Sequence, residues 1–331
     1  MRPNIRTLVG TTNKSTYAGV AKTDTISLPL DFALQRMLFE LTGTFDIVTS
    51  VSVLVEDASQ ALISEFRIDL TGDDGVETVF KMSGSDLYIK NFYDYSIQLR
   101  RTTATAVATD IKFGVALVVD FRLAKNDPDD ASVAIPLYAL SSADLVITYV
   151  APATGYGTNT ANFSLTGEIT LFEFIPESAS EKEAFLNNPI LKQISKEITL
   201  ENATGDEERD RDIVVGQLIR RVILVVKTNA GLRDDDQIDT YTLETAVLTF
   251  MKKLQWEASK TQDKIDYTLP LFDGDYTWKG VTILDFARAP VDEAGEIIGF
   301  DTRGMKQGDL KLTFDKLVVQ PKVRYIQESV I

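Results

Sequence analysis

The sequence of 331 residues contains no cysteine and no histidine. Without thiols it can form no disulfide, no thiolate metal site and no cysteine nucleophile. Without imidazole it lacks the commonest general base, the usual zinc ligand and the usual partner of a nucleophilic serine. Carboxylates, Lys, Tyr, Ser and Arg are what remain for catalysis, and the chain reads as a protein that is not an enzyme. Tryptophan is also scarce: Trp256 and Trp278 are the whole complement, which leaves little indole surface for stacking on a sugar. No run of about 18 or more apolar residues occurs, so nothing is expected to cross a membrane as a helix. The opening MRPNIRTLVGTTNKSTYAG has no apolar stretch of the length a secretory signal needs.

What is present is ample core-forming material and a one-sided charge. Hydrophobic residues make up 44% of the chain, and the formal net charge is −15. Such a chain is repelled by a nucleic-acid backbone, so no direct nucleic-acid recognition is expected. The charge is unevenly spread. Residues 1–23 hold Arg2, Arg6, Lys14 and Lys22 and no acid, while the remainder sets 30 basic against 49 acidic residues. A basic N-terminal arm on an acidic body suggests contact with a neighbouring subunit, anionic lipid headgroups or packaged genome, with a solvated terminus as the plain alternative.

Along the chain, strand signals dominate. The stretch ALISEFRIDLTGDDGVETVFKMSGSDLYIKNFYDY (61–95) reads as a strand, a polar turn, a second strand and a helix started by Ser83 or Ser85. A related order returns in RRVILVVKTNAGLRDDDQIDTYTLETAVLTFMKKLQW (220–256). The agreement in order and spacing predicts two copies of one β-rich unit: a first domain over 24–176, a helical, charged linker over 177–189 and a second domain over 190–331. Strands are expected over 24–32, 36–48, 50–56, 63–70, 96–123, 133–150, 162–174 and 190–200, over 218–227, and in IDYTLPLF, TWKGVTILDFARAP and DLKLTFDKLVV. The tail VRYIQESVI could be a last strand. Helices are expected over 85–92 and, from the spacing of Val247, Leu248, Met251 and Leu254, over 245–260. The loops 204–212 and 229–239 are highly charged and expected to face outward. Alternation of βαβ units is absent, so the fold class is all-β with a few short helices, built as two tandem antiparallel sandwiches. An eight-stranded jelly roll fits the unit length, as would another Greek-key sandwich.

Candidate sites are few. Acidic clusters occur at Asp73-Asp74, Asp127-Pro128-Asp129-Asp130, Asp234-Asp235-Asp236 and Asp273-Gly274-Asp275. Clustered carboxylates on turns can hold calcium, and Asp234, Asp235, Asp236, Asp273 and Asp275 are the candidates for such an ion at a subunit interface. Solvated turn acids are the other reading. No cofactor is expected. The loops around Gly155-Tyr156-Gly157 and Gly10–Ser15 lack the glycines of a phosphate cradle.

Several stretches resemble the double jelly-roll major capsid proteins of tailless icosahedral viruses with an internal membrane, the tectiviruses and corticoviruses, with adenovirus hexon a distant relative. They are ALISEFRIDLTGDDGVETVFKMSGSDLYI, VAIPLYALSSADLVITYV, YTWKGVTILDFARAP and DLKLTFDKLVV, and the similar layout runs from about Thr25 to the end. The brief N-terminal segment departs from the longer one of tectivirus coats. The resemblance implies two upright barrels per subunit, a homotrimer with a pseudo-hexagonal outline, and neighbouring capsomers, minor capsid and penton proteins and an internal membrane as partners. It implies a virion location, with host cytoplasm during assembly, and no catalytic residue. Arg2, Arg6, Lys14 and Lys22 would then touch lipid or a neighbour, and deletion of residues 1–20 should impair assembly while sparing the trimer. The rival readings are a carbohydrate-binding sandwich, such as a spike or lectin, and a carboxylate-dependent glycoside hydrolase.

Overall fold

The computed structural model describes residues 1–8, 14–50, 55–73, 75–267, 278–287 and 296–331. It divides into two compact units, 1–191 and 192–331.

In the first unit β1 (Arg2–Thr7), β2 (Ser15–Tyr17), β3 (Lys22–Ser27), β4 (Ala33–Ile47), β5 (Ile63–Gly72) and β6 (Gly75–Met82) lead into helix α1 (Gly84–Tyr95). There follow β7 (Ala108–Asp120), β8 (Ile135–Pro136), β9 (Ser142–Tyr149), a one-turn α2 (Pro152–Gly155), β10 (Thr160–Ile175) and α3 (Ala179–Leu186). One sheet runs β1-β10-β4-β7, and a second path runs β6-β5-β9-β3; the short β2 and β8 attach to β10 and β4. Alternation explains the long strands. Along β4, Met37, Phe39, Leu41, Phe45 and Ile47 are buried while their neighbours are partly exposed, the period of two that sets one face of a strand toward the core. Phe39 on β4 meets Phe66 on β5 edge-on at 5.5 Å, which ties the two sheets face to face. Gly43 sits where β10 crosses closely: a Cβ there would lie 2.0 Å from the Ser164 carbonyl oxygen, and its φ of +152° is one that L residues rarely adopt.

In the second unit β11 (Leu191–Thr199), β12 (Gly205–Arg209), β13 (Leu218–Lys227), β14 (Ile238–Thr245) and β15 (Thr249–Gln255) lead into α4 (Trp256–Tyr267). Then come β16 (Val281–Asp285), the short β17 (Phe300–Asp301), β18 (Leu310–Lys316) and β19 (Lys322–Val330). The strand paths are β16-β13-β19-β11 and β12-β18-β14-β15. One core draws Val222 and Leu224 of β13, Tyr241 and Leu243 of β14, Leu312 and Phe314 of β18, and Val323 and Tyr325 of β19. Burial of that apolar set, at about 25 cal/mol per Å², is the main favourable term.

The order of strands is the same in both units. Numbering the eight main strands of each in sequence as first to eighth, one sheet reads first, eighth, third, sixth and the other second, seventh, fourth, fifth. That is a jelly-roll path, two interlocked Greek keys, and the all-β, two-barrel expectation holds. The repeat is offset from the expected one. A hairpin leading into a twelve-residue helix is β5–β6–α1 in the first unit and β14–β15–α4 in the second. The segment 220–256 therefore begins one strand too early and stops where the second helix starts.

Three further expectations are corrected. Residues 249–255 form a strand, not a helix, because Leu254 and Met251 face Tyr241 and Leu243 across the β14–β15 ladder. The charged segment 204–212 is not simply an exposed loop: it contains β12, and Glu207 and Asp212 are buried at 7% and 5% exposure. Residues 1–23 are not an appended arm. β1 pairs with β10 from Arg2↔Ile175 to Thr7↔Thr170, and Tyr17 of β2 is buried. Of the expected strands, residues 51–54, 268–277 and 288–290 lie outside the described residues, while Ile265, Asp266 and Tyr267 of IDYTLPLF end helix α4 and do not start a strand.

Candidate functional site

Ionised side chains are the chemistry-bearing groups of this chain, so their placement decides what a site could do. Three of the four N-terminal cations are engaged by the chain's own acids. Arg6 Nη2 donates to Glu173 Oε1 at 2.8 Å and Nη1 to Asp31 Oδ2 at 2.9 Å, with the guanidinium 5.0 Å from the Phe32 ring centre. Burial raises the Glu173 carboxyl above its ordinary range even with Arg6 against it. Lys14 pairs with Glu168 at 2.6 Å and Lys22 with Asp24 at 2.8 Å. Arg2 is exposed and makes no ion pair with a described residue.

Two of the calcium candidates, Asp234 and Asp235, are engaged in a similar way. Asp235 Oδ1 accepts from Trp256 Nε1 at 3.0 Å and from the Gly280 amide at 2.7 Å, while Oδ2 accepts from Lys260 Nζ at 2.7 Å. Asp234 pairs with Lys279 at 2.9 Å, which holds its carboxyl below the ordinary range. Asp236 begins no cluster with them: among the described residues no group of three or more acids converges as metal ligands would. Asp273 and Asp275, like Asp74, lie outside the described residues. In the 127–130 turn, Asp130 Oδ2 accepts the amides of Leu123 and Ala124, a loop-closing role.

The buried charges form local knots. In the first unit, Asp120 accepts from Arg122 Nη2 at 2.7 Å and from the Tyr95 hydroxyl at 2.5 Å. Burial alone would raise the Asp120 carboxyl, but Lys125 and Arg122 overcome it and bring it down to about 2. Beneath α1, Lys90 and Asp94 pair with side chains 1% and 0% exposed. In the second unit, Lys316 meets Glu207, and Arg209 and Lys196 both meet Asp212. These partners lie as far as 109 residues apart, so composition gave no signal of them.

One edge strand of each barrel, β7 in the first and β16 in the second, is covered by the helix that precedes it. Asn91, eighth in α1, donates Nδ2 to the Val118 carbonyl at 2.7 Å and accepts the Val118 amide on Oδ1 at 2.8 Å. Asp263, eighth in α4, accepts from Thr282 Oγ1 at 2.9 Å and from the Ile283 amide at 3.2 Å. Covering an edge this way keeps it from pairing with another chain. Burial pushes the Asp263 carboxyl up to about 7, with Asp266 and Asp285 adding to the effect. A raised acid is what a general acid needs, but this one is 4% exposed and faces its own sheet. Sequence reasoning passed over it, because no local pattern marks an acid whose partners are 19 and 20 residues on. Both tryptophans, Trp256 and Trp278, are buried at 2% and 1%, so neither offers a face to a sugar.

No protein-family model and no curated protein matches the sequence. Solved structures do match in fold. The chain has the double jelly-roll fold of viral major capsid proteins. Over all of this chain and 97% of the other, it is similar to the major capsid protein of Sulfolobus turreted icosahedral virus, with a TM-score of 0.77 at 15% identity. Over all of this chain and 98% of the other, it is similar to the major capsid protein P2 of bacteriophage PM2, with a TM-score of 0.60 at 12% identity. The PBCV-1 virus capsid protein gives 0.63 at 10% identity, covering 100% and 95%.

Proposed function

We propose that this chain is the major capsid protein of an icosahedral virus, a structural protein of the virion and not an enzyme. The observation that carries the reading is end-to-end agreement: both barrels, not one, match capsid proteins that have little length to spare, 95–98% of each being covered. Two barrels per chain and three chains would give a capsomer with six barrels and a pseudo-hexagonal outline. Such a subunit would assemble with further capsomers, minor capsid and penton proteins and an internal membrane, in host cytoplasm and then in the virion.

The chemistry supports a passive shell part. Its buried ionisable groups are tied into pairs and strand edges, and a net charge of −15 keeps free subunits apart until salt or partners screen it. The lectin reading loses its stacking platform with both tryptophans buried. Within the N-terminal segment, Arg2 is the group left for lipid or a neighbour, since Arg6, Lys14 and Lys22 are committed to acids of the same chain. Deleting residues 1–20 would strip β1 and β2 from β10 and unfold part of the barrel, so Arg2→Ala is the cleaner probe of that contact. The test of the proposal is the polypeptide composition of purified virus particles from a culture that carries this sequence. The chain should be the most abundant shell polypeptide, and intact particles that lack it would overturn the reading.

A further inference from the structure

We propose that the contact between α4 and β16 is a proton-dependent latch, closed while the Asp263 carboxyl is neutral and loosened when it ionises. The geometry is specific. The carboxyl is buried, and its two described donors, the Thr282 hydroxyl and the Ile283 amide, are both on β16. No described cation pairs with it. Lys260, one turn earlier on α4, is held by Asp235 at 2.7 Å. Arg221 of β13 is held by Glu328 at 3.3 Å. Lys252 and Lys253 of β15 are exposed.

The other ionisable groups around it favour the neutral acid. Asp266 is next along α4, and Asp285 of β16 takes the Tyr267 hydroxyl. From β14, Tyr241 reaches the same hydroxyl chain through Ser259 and Thr282, and burial raises its phenol to about 12. Asp263 therefore faces hydroxyls, one amide and like charges. An anion there is desolvated without a counter-ion, and undocking α4 returns it to water. A neutral carboxyl can instead donate its proton into the hydroxyl chain.

The sign follows from the raised folded-state value. The stabilising contribution is complete below the ordinary aspartate range near 3.8 and is lost as pH rises toward about 7. The inference concerns the second unit alone and does not depend on the capsid reading.

Amide hydrogen exchange on the full chain tests it, corrected for the intrinsic pH dependence of exchange. Protection of the α4 amides should fall about tenfold per pH unit between about pH 5 and 7 and level off above, since one pKa unit is a factor of ten. Protection of α1 should not change over that range. In Asp263→Asn the α4 slope should vanish. Infrared titration of the wild-type chain gives a second readout that needs no variant: a protonated-carboxyl stretch should disappear with a midpoint near 7. An α4 protection indifferent to pH, or no protonated carboxyl with that midpoint, would overturn the latch, whether or not Asp263→Asn folds.

Discussion

The two barrels solve one structural problem with different chemistry. In each, a twelve-residue helix follows a hairpin and sends its eighth side chain to the edge of the next strand. The first unit uses an amide: Asn91 both donates and accepts, satisfying the Val118 amide and carbonyl with no titratable group. Charges beneath α1 come as a matched pair, Lys90 and Asp94. The second unit uses an acid, Asp263, and leaves it without a described cation. The same edge can thus be closed in a way that ignores pH near neutrality or in a way that responds to it. One atom of one side chain, N or O, makes the difference.

The largest effect that would break this comparison is expected from Lys90→Met. It removes the Lys90 ammonium from the buried Asp94 carboxylate, and loss of one partner of a buried pair costs about 3–5 kcal/mol; chemical denaturation followed by a first-unit probe should show it. Next is the exchange of the two solutions. Asp263→Asn should stabilise the second unit at pH 8 by up to about 4 kcal/mol, the worth of about three pKa units, and flatten its thermal stability between pH 5 and 8. The reciprocal Asn91→Asp should give the first unit a loss of stability that grows with pH, read from melting temperatures across the same range. Acid should invert the ranking. With Asp120 held down to about 2, its contribution is present above the ordinary range near 3.8 and lost as pH falls through 2. The first unit should then lose about 2 kcal/mol between about pH 4 and 2, seen as early loss of its near-ultraviolet dichroism. The smallest effect is at the start of α1, where Ser83 and Asp86 close a reciprocal cap. Ser83→Ala should cost about 1 kcal/mol, measured by urea denaturation.

Sequence patterns set by local physics were legible. Strands such as β4 and β18 bury every second residue, so alternation alone marks them. The Ser83 cap marks the start of α1, two residues before the Ser85 that serves equally well by composition. Patterns decided by distant partners were not legible. Met251 and Leu254 have helical spacing with Val247 and Leu248, yet the β14 ladder makes them a strand, a tertiary override of local preference. Val247, almost fully exposed at 94%, is the hairpin tip and not part of an apolar helix face. Glu207 reads as loop charge until Lys316 is placed against it. Arg6 and Lys14 read as a free basic arm because Glu173 and Glu168 lie more than 150 residues later.

The proposed capsid role requires three of these two-barrel chains in a six-barrel capsomer, and the number of chains in the particle decides the matter. The measurement is the solution mass of the purified full chain by light scattering after size exclusion, with negative-stain images of the same fraction. One species at about three times the chain mass of 36.7 kDa, with pseudo-hexagonal outlines, is the predicted result. A monomer that persists at high protein concentration would contradict it.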